Sequence, residues 1–219
     1  MTALTRFFET YALLSLEKQD KFGFLVGDLF PEIDLDAGMF RVEGMEYAFQ
    51  VLGTESHNTL TWLWAWADEQ TEVTDELLHA SRQIRDWGAR EGIREFTSPS
   101  IDLNAVDGTA LSLISVGVSA SSCYYRDAYE GGAAFLLLSD RAIDARPSFD
   151  SARLSRRYLD LLSRYDLDHR NTLLSYFRGK AFSPDESGSE ITCELDSGET
   201  VHAVFEATGR LKLLNGEQV

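Results

Sequence analysis

The chain has 219 residues, of which 44% are hydrophobic and 11% aromatic, so it can bury a sizeable core and is not a disordered chain. Its formal net charge of −16 disfavours nucleic acid and anionic membranes as partners, because both are negatively charged. The longest uncharged run, from Gly108 up to Arg126, is too rich in serine and glycine for a membrane helix, and the N-terminus lacks a signal-peptide pattern, so we expect a cytoplasmic protein.

The first part of the chain predicts one amphipathic helix followed by extended segments. In order, these are a helix over residues 5–18 and extended segments over residues 24–29, 32–35, 39–43 and 46–52. The Asp36-Ala37-Gly38 turn joins two of the segments into a hairpin. In the last segment Tyr47, Phe49 and Val51 would share one face, because side chains alternate along a strand.

Residues 60–67 read Leu-Thr-Trp-Leu-Trp-Ala-Trp-Ala, the most informative stretch of the sequence. If this stretch is a strand, Trp62, Trp64 and Trp66 project from one face, and the apolar residues between them cover the other. The strand would then be central in its sheet. The indoles either fill the core or line a pocket for an apolar or planar small molecule.

The pocket interpretation needs polar groups near the indoles. Asp68 follows the predicted strand, and His57 lies at its opposite end. Tyr47 and Phe49 could be cross-strand neighbours of the tryptophans. Under this hypothesis the ligand-binding residues are Trp62, Trp64, Trp66, Asp68, Tyr47, Phe49 and Tyr125.

The middle of the chain predicts a helix that begins with Thr74 as its N-cap and ends at Gly92. Residues 96–103 are predicted to be extended. Residues 105–120 fit a strand or a small-residue helix, and their length and the possible cap Asn104 favour the helix. A hairpin follows, with strands over residues 124–129 and 134–138 around Gly131-Gly132.

After a connector over residues 140–148, the C-terminal part predicts two helices and then a meander. Asp150 would cap the long first helix, and residues 171–178 form the second. The three strands are predicted over residues 191–195, 200–206 and 211–214.

Residues 150–180 are the only locally basic part of the chain. A solvated helix face explains this pattern. The alternative is an anion site built on Arg153, Arg156 and Arg157, in which the spacing of four places Arg153 and Arg157 on one side of a helix.

The sequence contains no pattern that specifies a reaction. It lacks paired histidines at metal-ligand spacing, the GxSxG nucleophile motif and the glycine-rich phosphate-binding motifs. Cys123 and Cys193 lie far apart and fit reduced thiols. We therefore predict no metal and no cofactor, and the sequence leaves open whether the protein is an enzyme.

The motif Gln50-Val-Leu-Gly53, followed by Thr61-Trp-Leu-Trp-Ala-Trp-Ala67, resembles a family of uncharacterised bacterial domains whose signature is VLG, a polar gap and TWLWAWAN. The resemblance covers about residues 20–140. This chain has Asp68 where that family usually has asparagine. The resemblance supports the fold but implies no activity.

Together these patterns predict an α+β protein with curved antiparallel sheets packed against helices and a C-terminal three-stranded meander. We expect one domain over residues 1–219, with layers over 1–140 and 141–219. The first function hypothesis is a non-enzymatic binding protein of the bacterial cytoplasm, for example an immunity-type partner of a basic protein. The second is a small-molecule binder or enzyme that uses a tryptophan-lined pocket.

Overall fold

The computed structural model describes residues 2–27, 29–69, 73–145 and 148–219. It has the α+β architecture expected from the sequence. Its helices are α1 (Ala3–Val26), α2 (His79–Glu91), α3 (Arg94–Thr97), α4 (Gly108–Val118), α5 (Arg141–Asp144), α6 (Ser151–Arg164) and α7 (His169–Gly179). Its strands are β1 (Glu32–Asp34), β2 (Met39–Val42), β3 (Met45–Ser56), β4 (Thr61–Trp64), β5 (Ser100–Asp102), β6 (Cys123–Tyr129), β7 (Gly132–Ser139), β8 (Asp185–Ser187), β9 (Glu190–Glu194), β10 (Thr200–Phe205), β11 (Leu211–Leu214) and β12 (Glu217–Gln218).

Strands β1 to β7 form one strongly curled antiparallel sheet. Strand β3, with 12 residues, pairs with three other strands of this sheet. The first residues of β3 pair with β2, and its last residues pair with β4. Strand β7 pairs with β3 along most of the length of β3. Because one long strand has different partners at its two ends, the side chains at those ends enter different parts of the core.

Helix α1 is longer than the sequence pattern predicts. It continues to Val26 and ends at Gly27, whose φ of 55° is unfavourable for other residues. The prediction of an extended segment over residues 24–29 was therefore wrong for its first half. Tertiary packing explains the difference, because Phe22 and Val26 are buried against the first strands of the sheet.

Two helix starts also differ from prediction. Helix α2 begins at His79 rather than after Thr74, and the side-chain oxygen of Gln50 on β3 accepts a hydrogen bond from the Ala80 N–H. Helix α4 is capped by Asp107, not by Asn104. The hydrogen bond at the start of α2 comes from a distant strand, so no local sequence pattern predicts it.

The predicted extended stretch over residues 96–103 is confirmed only for the short β5, and its first two residues, Phe96 and Thr97, belong to helix α3. The hairpin of β6 and β7 and the helix capped by Asp150 are confirmed. The predicted connector over residues 140–148 contains α5, and its residues 146–147 lie outside the described residues.

The C-terminal meander is confirmed and has two additional strands at its edges. Its order is β12-β11-β10-β9-β8, all antiparallel. One face is buried in the main hydrophobic core through Ile191, Val201 and Phe205, whereas neighbouring residues such as Glu194 are exposed. This alternation is typical of an antiparallel sheet that is solvated on one face.

Carboxylates on α1 bind the C-terminal helices. Glu9, which is 1% exposed, accepts hydrogen bonds from the Asp168 N–H at 2.9 Å and from Asn171 Nδ2 at 2.8 Å. Asp20, further along the same helix, receives two hydrogen bonds from Arg157 of α6, at 2.8 and 2.6 Å.

Glu17 is the most highly connected of these carboxylates. It is 1% exposed and lies 3.0 Å from Lys21 Nζ and 2.8 Å from Lys180 Nζ. It also accepts hydrogen bonds from the Tyr176 hydroxyl and the Phe149 N–H. Burial alone would raise the pKa of Glu17, but the hydrogen bonds that it accepts, from Lys180 first, hold that pKa below its usual value.

His169 begins α7 and contacts the C-terminal sheet. Its Nδ1 accepts a hydrogen bond from the Leu211 N–H at 3.0 Å, which requires a neutral ring with the proton on Nε2. Burial lowers the pKa of His169 and the charge of Arg210 lowers it further, although Asp168 and Asp166 act in the opposite direction. The hydrogen bond from His169 to β11 therefore exists only while the ring is uncharged.

We predict that Glu17→Gln lowers the free energy of unfolding by roughly 3–5 kcal/mol at neutral pH, because it leaves two largely buried ammonium groups without their carboxylate. Urea unfolding measures this loss. The matched control is Glu91→Gln, which removes a half-exposed pair at 3.8 Å from Arg6 and should change stability by less than about 1 kcal/mol.

The contribution of Glu17 should be complete above the ordinary carboxyl pKa of 4.5 and be lost as the pH falls below it, because its folded-state pKa is the lower one. The difference between wild type and Glu17→Gln should therefore shrink in acid. Equal stability of the two Gln variants at neutral pH would contradict the assignment.

We predict that stability also decreases as the pH falls below the ordinary histidine pKa of 6.5, because the unfolded chain then binds a proton that folded His169 does not. In a His169→Asn variant the side-chain oxygen can still accept from the Leu211 N–H but the amide cannot titrate, so the pH profile should be flatter. The control is His79→Asn, at an exposed site. Thermal unfolding between about pH 5 and pH 7.5 measures this, and identical slopes for all three proteins would refute it.

Candidate functional site

Trp62 and Trp64 lie on strand β4 and are both 0% exposed. Their rings pack edge to face at 5.3 Å, with Phe135 4.8 Å from Trp62 and Phe96 5.3 Å from Trp64. Trp64 Nε1 donates a hydrogen bond to the Glu95 carbonyl at 2.9 Å. These contacts give both indoles a packing role, and their proposed ligand binding remains a prediction.

Trp66 does not continue the strand. Strand β4 ends at Trp64, and residues 65–67 form a 3-10 turn, so the alternation expected for all three tryptophans was wrong beyond the second. Pairing with β5 ends at Leu63, and the Trp64 N–H donates to the Pro99 carbonyl at 3.1 Å, but proline has no N–H with which to continue the ladder. Trp66 is half-buried beneath the Arg85 guanidinium, which lies 5.4 Å from its ring centre, and Asp68 follows this turn.

The structure separates Tyr47, Phe49 and Tyr125 from the tryptophans. Residues of β3 that pair with β4 begin at Gly53, whereas Tyr47 pairs with Phe40 of β2. The expectation that Tyr47 and Phe49 are cross-strand neighbours of the indoles was wrong, because β3 is long enough to have different partners at its ends. They belong to a second core cluster around Phe22.

Arg153 and Arg157 do lie together, in a cleft of about 320 Å³ between α1 and α6 that we call the arginine cleft. Arg157 is already paired with Asp20, and this pairing raises the pKa of its guanidinium. Arg156, the third arginine of the hypothesis, also lines the cleft. The anion site remains a prediction.

A second cleft, of about 340 Å³, lies between the start of α1, the start of α4 and the link from α6 to α7. We call it the Tyr165 cleft. Its apolar wall includes Phe8 and Ile114, and its polar edge includes the Tyr165 hydroxyl, which donates to Asp107 at 2.9 Å. Burial raises the pKa of Tyr165, so the hydroxyl stays protonated. No local motif indicates this cleft, because three distant segments form it.

A third cleft, of about 360 Å³, lies beside the hairpin of β2 and β3. We call it the Phe30 cleft, since the Phe30 side chain at its edge is 96% exposed. The hairpin turn Glu43-Gly44 has positive φ at both residues, 44° and 81°, which is the backbone of a tight two-residue hairpin turn. The other lining residues are Glu32, Arg41, Val42, Met45 and Glu46.

The part of the chain that the structure describes has two buried cysteines but no candidate metal site and no membrane-spanning helix. Its histidine, cysteine and acidic side chains form no group of three that could hold a metal ion. Cys123 and Cys193 are both free and buried, and burial raises the pKa of each thiol. Among the described residues, no helix combines the length and apolar character needed to cross a bilayer.

We predict that Gly53→Ala destabilises the protein by roughly 2–4 kcal/mol, because a Cβ there would lie 2.5 Å from the Leu63 carbonyl and 2.8 Å from the Trp62 ring. The matched control is Gly23→Ala in α1, where a Cβ would meet nothing within 4 Å. That change should stabilise the helix by about 0.5–1 kcal/mol. Denaturant unfolding measures both, and a neutral Gly53→Ala would contradict close packing around Trp62.

Comparison with known proteins gives a family but no activity. The model of DUF6882, a family of unknown function, matches residues 5–141, which include the curled sheet and α1 to α4. No curated protein matches the chain. No solved structure matches it either. Because the match extends over more than half of its length, the chain belongs to the DUF6882 family.

Proposed function

We propose that this protein is a non-enzymatic binding protein that recognises a basic protein partner. The observation that supports this function is that its basic side chains are largely paired with carboxylates of the same molecule. Most of the described lysines and arginines already form ion pairs within the molecule, such as Arg82 with Asp75 and Arg178 with Glu186. The formal net charge is −16, and among the described residues a number of carboxylates form no ion pair with a described cation.

Several of these carboxylates are exposed and widely distributed. Some of the exposed glutamates neither form an ion pair with a described residue nor accept a side-chain hydrogen bond from one. They include Glu32, Glu43, Glu76, Glu130, Glu194 and Glu217. Such a surface attracts a basic partner over several ångströms and raises its association rate. An immunity-type protein that neutralises a basic toxin in the bacterial cytoplasm is one form of this function.

The second candidate function is binding of a small apolar or planar molecule. The observation that favours it is the Tyr165 cleft, where an apolar wall meets the Tyr165 hydroxyl and the Asp107 carboxylate. This cleft is a better candidate than a tryptophan pocket because Trp62 and Trp64 are 0% exposed. An enzyme would need a reacting group in addition, and the sequence offers no motif for one.

We predict that the immobilised protein captures a basic protein from a lysate of its source cells, and that raising the ionic strength from about 0.05 to 0.3 M releases it. Mass spectrometry identifies the captured protein. The control is a variant in which the six unpaired glutamates named above are changed to glutamine, which should bind much less while unfolding normally. Capture that is insensitive to salt and to these changes would contradict the proposal.

A further inference from the structure

The most exposed large apolar side chain of the described surface, Phe30, lies among acidic residues. Phe30 is 96% exposed, more than Phe24, Leu35, Leu60 or Tyr129. A ring that remains almost wholly in water in the free protein gains hydrophobic stabilisation when a partner covers it.

The charges around Phe30 favour a cationic partner. Arg41, the only basic residue among the described residues that line the Phe30 cleft, is neutralised by Asp34 and Glu46, each at 2.9 Å. The pKa of Asp34 is lowered by the Ala37 N–H and by Arg41, so this carboxylate stays ionised. Glu32 and Glu43 remain without a described cation and give the cleft a net negative charge.

Met45, at the floor of the cleft, is packed against the second core cluster. Its sulfur accepts a hydrogen bond from the Tyr47 hydroxyl at 3.2 Å. Below it, the ring of Phe40 is wholly buried and lies 4.9 Å from that of Tyr125. A preformed floor reduces the entropy lost on binding, and the methionine sulfur adapts to varied apolar groups.

The opposite end of the sheet is a weaker docking candidate. Leu60 and Tyr129 are exposed there, but by only 47% and 53%. The nearby Glu55 carboxylate is neutralised by Arg126, and Glu130, next to Tyr129, is unpaired within the described residues. The Phe30 cleft combines greater apolar exposure with two carboxylates that lack a described cation, Glu32 and Glu43.

We propose that the basic partner docks on the Phe30 cleft by presenting one aliphatic or aromatic side chain between lysines or arginines. The apolar side chain covers Phe30 and contacts Met45, while its basic neighbours pair with Glu32 and Glu43. This inference rests on the proposed function, and it names the surface and the chemistry that the partner must have.

The test uses two peptide probes of equal charge, Lys-Lys-Leu-Lys-Lys and Lys-Lys-Ser-Lys-Lys, titrated into the full chain at low salt and followed by amide NMR shifts. The leucine peptide should bind about threefold to tenfold more tightly, with shifts concentrated at residues 30–46. Phe30→Ser should remove the preference between the peptides, whereas the matched surface variant Leu60→Ser should keep it.

A second experiment tests the role of the carboxylates. It compares the double variant Glu32→Gln/Glu43→Gln with the double variant Glu76→Gln/Glu130→Gln, which removes the same charge from other places. Only the first pair should weaken both peptides by more than about threefold. Shifts centred on Leu60 and Tyr129, or equal effects of the two pairs, would overturn the docking site and leave the proposed function standing. If neither peptide binds the wild-type chain at low salt, both the docking site and the proposed function fail.

Discussion

The burial of charged side chains along α1 is the constraint on which the rest of the structure depends. An isolated carboxylate inside a protein is strongly unfavourable, and Glu9 and Glu17 are each 1% exposed. Each is tolerated only because groups from the C-terminal half surround it, including backbone N–H groups of Phe149 and Asp168. The position of α1 therefore specifies where α7 and the loop before α6 must lie.

This constraint connects the region that the family model covers with the region that it does not. The family match ends at residue 141, but the partners described above for Glu9, Glu17 and Asp20 lie beyond residue 148, apart from Lys21 on α1 itself. The main hydrophobic cluster likewise extends from Leu4 to Leu214. In this chain the family region supplies the helix, and the loop before α6 and the C-terminal helices complete its polar contacts.

Some aromatic side chains fill the core and others are exposed to solvent. This difference indicates where a functional surface should be sought. Trp62 and Trp64 are wholly buried, Trp64 against α3 and Trp62 against Phe135 of β7. Phe30 contributes nothing comparable to the core, because nearly all of its ring is in water. A side chain that costs solubility without adding to packing is a better indicator of a binding surface than a buried one.

The sequence by itself determined the elements whose signals are local. The Asp36–Gly38 turn, the Gly131-Gly132 hairpin and the cap at Asp150 each depend on residues within a few positions, so the strands and helix beside them were predicted. The alternating C-terminal strands were predicted for the same reason.

Tertiary contacts decided the rest. Packing of Phe22 extended α1, and Gln50 capped α2 from a distant strand. The pairing partners of β3 separated Tyr47 from the tryptophans. The clefts and the exposure of Phe30 depend on which segments meet in space, and residue type and spacing do not encode those long-range contacts.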